Sequence, residues 1–293
     1  MDRLKTLINS GEEITHFAFG QSPFPPPEVL VEALREHSQK YSYLPIKGTL
    51  ELRKGISKMH SKYDQLNMDP EKIIVGPGTK ELLFLILNAF NGVILLASPT
   101  WTTYEQQCNL AGQIPLVLKT DETKGWKLTP QTITEVSSKF TFRIRRKGLY
   151  GKHLLHILRK FSTWIKFTSN FYYSFLCATA GTCYTAEELE DLSASCRENR
   201  ILVISDEIYS RLTFNDHYDT MLHFYPEGTI MTNGFSKWAS VGGWRLGYAY
   251  FPPSLKTLFD AVYKSASNTY SCAPTPMQYA IAQITYIKYN FLI

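Results

Sequence analysis

The sequence predicts an α/β fold, a mostly parallel central sheet flanked by helices. Two observations predict it. First, short continuous apolar runs recur along the chain: KIIV ahead of Gly76, VILLA at 93–97, ILVIS at 201–205, TIMT at 229–232 and LGYAY at 246–250. Unbroken rather than alternating apolarity marks strands buried on both faces. Second, the segments between them carry apolar residues at helical spacing, and strands that alternate with helices favour parallel pairing.

The elements follow in order. The N-terminal MDRLKTLINSGEE is charged and lacks an apolar h-region, so no secretory signal is expected there. No apolar stretch is long enough to predict a transmembrane helix. FAFGQSPFPPPEVL is Pro-rich and predicts an extended arm that turns helical near Pro27 or Glu28. Leu52, Ile56, Met59 and Tyr63 share one helical face, giving a helix over 49–63. KIIVGPGTKELLFLILNAF reads as strand, Gly-rich turn and buried helix, and VILLA as the next strand, followed by a helix in WTTYEQQCNLAG. Thr185, with Glu188 three residues on, has the capping-box pattern of a helix start.

Composition bounds the rest. With 293 residues, 44% hydrophobic and 19% charged, the chain suits one large domain, or a large and a small one, and not a disordered polymer. The net charge of +5 is local: residues 141–176 hold eight Lys/Arg and no acid, so the remainder is net acidic. Five scattered cysteines without a CxxC suggest reduced thiols in a cytoplasmic protein. His153 and His156 lie three apart, and His217 and His223 flank a loop; no thiol or carboxylate joins them at ligand spacing, so no metal site is expected.

In parallel sheets ligands sit beyond the carboxyl ends of the strands. After ILVIS come Asp206, Glu207 and Tyr209. Alone, such acids read as a solvated turn. After TIMT comes NGFSKWASVGGWRLGY, which places Lys237 among Ser236, Trp238, Gly242, Gly243 and Arg245, a set better explained by a phosphorylated ligand than by solvated charge. Gly78, Thr79 and Lys80 open a helix directly after a strand, which makes an anion site or an ordinary strand–helix turn. Trp101 follows a strand and Pro99, as a ring-stacking aromatic or a packed core residue.

FGQSPF, YSYLPIKGTLELRKGI, VGPGTKELLF, SPTWTTY, TAEELEDL, VISDEIY and GFSKWASVGGWRLGY occur in one order. Together they resemble the class I/II aminotransferases, pyridoxal-phosphate (PLP) enzymes of fold type I and the aspartate aminotransferase superfamily. The resemblance implies that Lys237 forms the Schiff base with PLP and later shuttles a proton. It implies that Asp206 pairs with the pyridine nitrogen, Tyr209 hydrogen-bonds O3′, and Ser236 and Arg245 bind the phosphate. Gly78, Thr79 and Lys80 would hold that phosphate through their turn, and Trp101 would stack on the ring. Tyr43 would reach the phosphate of a partner subunit, implying a homodimer, and Gly20 would offer backbone to the substrate carboxylate. Gly234 stands where many relatives have a hydroxyl residue.

Two departures from the family pattern stand out. Where relatives carry an Asn-Pro-rich motif with an Asn for O3′, this chain has CATAGTCY at 177–184. The basic-aromatic stretch upstream reads as a nucleic-acid patch, a membrane-surface helix, or a foreign stretch such as translated intron; the third is preferred because family motifs resume abruptly at Gly181. Also, no residue matches the C-terminal arginine that anchors the substrate carboxylate. The expected organisation is an N-terminal arm or part of a small domain over 1–45, and a PLP-binding large domain over 46–260 with 141–180 atypical. The start of a truncated C-terminal region follows over 261–293, leaving the small domain incomplete. The expected function is transamination between an L-amino acid and a 2-oxo acid, with no nucleic-acid or membrane partner. Lyase or aminocyclopropane-carboxylate-synthase-like chemistry on the same fold, or an inactive PLP-fold protein, are the alternatives.

Overall fold

The computed structural model describes residues 20–90, 92–137, 172–177, 181–214 and 218–287, with scattered positions before residue 20. A seven-stranded sheet runs in the order β1-β7-β6-β5-β4-β2-β3. Its strands are β1 (Ile73–Gly76), β2 (Val93–Ser98), β3 (Ile114–Lys119), β4 (Tyr172–Cys177), β5 (Leu202–Asp206), β6 (Thr229–Gly234) and β7 (Gly247–Tyr250). β7 runs antiparallel to both its neighbours, β1 and β6, and every other pairing is parallel. The mostly parallel sheet read from the apolar runs is therefore present.

The helices include α1 (Glu28–His37), α2 (Leu50–Asp64), α3 (Thr79–Ala89), α4 (Thr102–Leu110), α5 (Ala186–Glu198), the short α6 (Met221–Phe224), α7 (Lys256–Thr269) and α8 (Thr275–Ile287), with residues 130–137 also helical. α2 starts where Thr49 accepts the backbone N–H of Leu52, and α5 has the full reciprocal capping box of Thr185 and Glu188.

Three apolar clusters sandwich the sheet. One joins Leu30, Leu52, Ile56 and Met59 of α1 and α2 to Tyr248 and Ile281. A second packs Leu82, Leu83 and Ile86 of α3 against Ile94, Ile204, Ala249 and Val262. A third sets Leu189 and Leu192 of α5 against Leu95 and Val203. Each fully buried aliphatic side chain contributes about 1.5–3 kcal/mol of transfer free energy. Gln278 of α8 ties this layer together, accepting from Thr49 N at 3.0 Å and donating to Ala273 O at 2.8 Å.

The structure adds two strands that the periodicity reading did not find, β3 and β4. β4 lies between β2 and β5 in the sheet centre. β4 begins at Tyr172, ahead of Gly181, where the motif reading has recognisable motifs resume. A central strand needs only a short β-compatible run, and such a run inside a basic-aromatic stretch carries no motif. Residues 138–171 and 178–180 lie outside the described residues, and with them the three readings of the basic segment.

Candidate active site

Strand register sets the site. Gly76 pairs with Gly247, Gly247 with Gly234, Thr232 with Asp206, and Asp206 with Cys177. The carboxyl ends of β1, β4, β5 and β6 and the start of β7 therefore share one sheet edge. The turn entering α3, the turn after β5, the Lys237 segment and the Arg245 segment all leave from that edge.

Asp206 ends β5 with only 5% of its surface exposed. It accepts hydrogen bonds from Tyr104 Oη at 2.7 Å and Thr232 Oγ1 at 3.2 Å. Burial pushes its carboxyl above the ordinary value, opposed by those hydroxyls, the Ile208 backbone and the Lys237 charge. Among the described residues no cation hydrogen-bonds it. A buried carboxyl held by neutral donors is suited to receive a cationic ring nitrogen, whose charge would favour the ionised form.

Lys237 Nζ donates to Gly20 O at 2.5 Å and sits 5.2 Å from the Tyr209 ring centroid. A Cβ on Gly20 would fall 2.4 Å from Tyr209 Oη and 3.2 Å from Lys237 Nζ. The N-terminal arm thus closes over the lysine and phenol with room only for glycine.

Arg245 takes a left-handed backbone, φ 55°, just before β7. Its Nη1 donates to Gly242 O at 2.8 Å and its Nη2 to Pro77 O at 3.4 Å. A Cβ on Gly78 would lie 2.3 Å from Nη2. The guanidinium therefore rests on the backbone that opens α3. Gly78 supplies no side-chain cap there, leaving first-turn N–H groups for an anion. Ser236 lies beside the Gly242 backbone that Arg245 also contacts, its carbonyl 3.5 Å from the Cβ position of Gly242. An arginine fork beside an open helix start is an arrangement chemically suited to an anion.

Trp101 caps α4, half-buried and edge-on to Tyr104 at 5.4 Å. Lys80 Nζ lies 4.8 Å from its ring centroid. Tyr43 is 89% exposed. Gly234 faces Gly247 across β6 and β7, where a Cβ would lie 3.1 Å from both Gly247 Cα and Leu246 O; a hydroxyl side chain there would crowd backbone.

Two contributors escaped the sequence reading. Tyr104 and Thr232 both hold Asp206, yet one comes from a helix face and the other from inside a strand. Their only sequence signal is membership of those elements, because strand register alone brings them together.

A sheet edge bearing an amine, a buried carboxyl to which no cation hydrogen-bonds among the described residues, and an arginine beside an open helix start fits a fold-type-I PLP-binding architecture. The family model described as aminotransferase class I and II matches residues 12–150 and 176–286, and the chain belongs to that family, whose members are PLP-dependent. Its unmatched interior is 151–175, narrower than the 141–180 marked from motifs.

An aspartate aminotransferase of Thermotoga maritima is 28% identical over 99% of this chain and 71% of its own length. An asparagine–oxo-acid transaminase of Streptococcus mutans is 27% identical over 95% of this chain and 66% of its own. The crystal structure of the Thermotoga maritima enzyme superposes with a TM-score of 0.77 at 26% identity, covering 98% of this chain and 70% of that one. The Rhizobium meliloti aspartate aminotransferase, at 21% identity and TM-score 0.80, shares the fold. The chain spans about two-thirds of the length of such relatives, 66% of the Bacillus sp. YM-2 aspartate aminotransferase for example.

Proposed function

We propose that this chain is built for PLP-dependent transamination between an L-amino acid and a 2-oxo acid, with Lys237 as the lysine that binds the cofactor. The observation that carries the reading is convergence: Lys237, Tyr209, Gly20 and Asp206 meet at one sheet edge. Bound there, PLP supplies an electron sink for the electron pair left at the substrate Cα.

Each residue then has a physical task. Asp206, oriented by Tyr104 and Thr232, would hold the ring nitrogen protonated. Arg245, Ser236 and the backbone of Gly78, Thr79 and Lys80 would hold the phosphate. Tyr209 would donate to the cofactor O3′, and Trp101 would cover the ring. The free Lys237 amine would take the Cα proton as general base and, as general acid, deliver it to the cofactor C4′. Gly20 offers backbone to the substrate side. The exposure of Tyr43 fits a residue that completes a partner's site in a cytoplasmic homodimer, with residues 46–260 as its PLP-binding large domain.

The relatives' names make L-aspartate the first donor to try. Purified protein with PLP, L-aspartate and 2-oxoglutarate should yield a keto acid and glutamate in equal amounts. Ammonia release without glutamate would favour the lyase alternative instead.

A further inference from the structure

Behind the site a buried polar chain joins α2, β7 and the turn after β5. His60 is fully buried, with Nδ1 at 2.5 Å from Asp64 Oδ2 and Nε2 at 2.7 Å from Tyr248 Oη. Asp64 also receives the Arg211 fork, Nη1 to Oδ1 at 2.8 Å and Nη2 to Oδ2 at 2.5 Å. The guanidinium lies 5.2 Å from the Tyr63 ring centroid. A carboxylate only accepts, so His60 carries its hydrogen on Nδ1 and Nε2 accepts from the Tyr248 hydroxyl. Burial holds His60 below its ordinary value, which keeps that arrangement neutral at the ring. Glu207, buried on the same turn, is a further acid that acts electrostatically on this cluster.

A buried ion pair adds little net stability, because desolvation offsets its attraction. What this one provides is geometry. Arg211 lies inside a turn closed by Leu212 N to Tyr209 O at 2.9 Å. The neighbouring Ser210 hydroxyl receives Asn233 Nδ2 at 3.1 Å. The turn is pinned to β6 through Ser210 and to α2 through Arg211. The residue that those two pins orient is Tyr209, whose ring lies beneath Lys237.

We infer that Asp64 and Arg211 are positioning residues for the Tyr209 phenol, with His60 and Tyr248 fixing Asp64 in turn. This inference rests on the transaminase reading for its readout. A phenol donating to the cofactor O3′ favours the deprotonated cofactor, so losing its alignment raises the pH midpoint of the lysine-bound absorbance band.

The test is a double-mutant cycle on that midpoint, using holoenzyme. Asp64→Asn and Arg211→Lys should each raise it by about one pH unit, the size of one lost charge-assisted hydrogen bond. In a Tyr209→Phe background neither should add a further shift. An unchanged midpoint in folded protein, or an equal shift in the Tyr209→Phe background, overturns the inference. If Asp64→Asn does not fold, Arg211→Lys decides alone. A second arm needs no cofactor: amide hydrogen exchange over 207–212 should accelerate in Arg211→Lys, and unchanged exchange overturns the inference equally. A wild-type chain that forms no band sinks the transaminase reading but leaves this second arm decisive for the turn.

Discussion

Gly78→Ala probes the proposed phosphate cradle most sharply. Gly78 has φ 88° and ψ 157°, a region essentially restricted to glycine, so alanine there costs about 1–3 kcal/mol in backbone strain. The added methyl would also sit 2.3 Å from Arg245 Nη2 and 2.9 Å from Cζ, so the guanidinium must move. Moving it breaks the bonds to Gly242 O and Pro77 O and withdraws the cation from the phosphate position. Loss of one charged hydrogen bond, about 1.5–3 kcal/mol, weakens PLP binding roughly 10- to 100-fold. Gly112→Ala is the control: its φ is also positive, 69°, but nothing lies within 4 Å of its Cβ position. Titrating cofactor-free protein with PLP by absorbance, alongside thermal melting, separates the effects. Both variants should lose stability, and only Gly78→Ala should lose affinity. Equal PLP affinity in Gly78→Ala and wild type would refute the cradle.

Other expectations follow from the same geometry. Burial pushes the Glu207 carboxyl from 4.5 up to about 8, against hydrogen bonds from Thr220 and Ser205. Below pH 4.5 folded and unfolded chains both hold that proton; between 4.5 and about 8 only the folded chain does, so stability falls as pH rises through that window. Glu207→Gln should remove this loss and gain on the order of a few kcal/mol relative to wild type at pH 9, read from urea midpoints; parallel pH curves would contradict it. Tyr104→Phe removes the 2.7 Å donor to Asp206 and should lower kcat/KM roughly tenfold while the protein stays folded. Thr185→Ala breaks the capping box of α5 and should cost about 1 kcal/mol in thermal unfolding, leaving PLP affinity unchanged.

How much was legible depended on whether a feature was local. Continuous apolar runs gave β1, β2, β5, β6 and β7, and Thr185 announced α5 through its own side chain. β3 was not legible because Pro115 interrupts it and Ile114 and Val117 face solvent, as an edge strand permits. β4 was hidden because its residues continue a basic-aromatic stretch. At the site, Lys237, Asp206, Tyr209 and Arg245 stood out because each lies in a short motif at a strand end. Tyr104 and Thr232 did not, since only the register of β5 and β6 and the packing of α4 bring them to Asp206. The Asp64–Arg211 pair spans 147 residues, and no local pattern announces such a contact.

The central claim is that the amine of residue 237 bonds the cofactor aldehyde above the Asp206 carboxyl. Absorbance spectra of the purified chain with PLP, beside a Lys237→Ala variant, test it directly. The wild-type chain should show a lysine-dependent band in the visible or near ultraviolet that the variant lacks. Identical spectra from the two proteins would contradict the account.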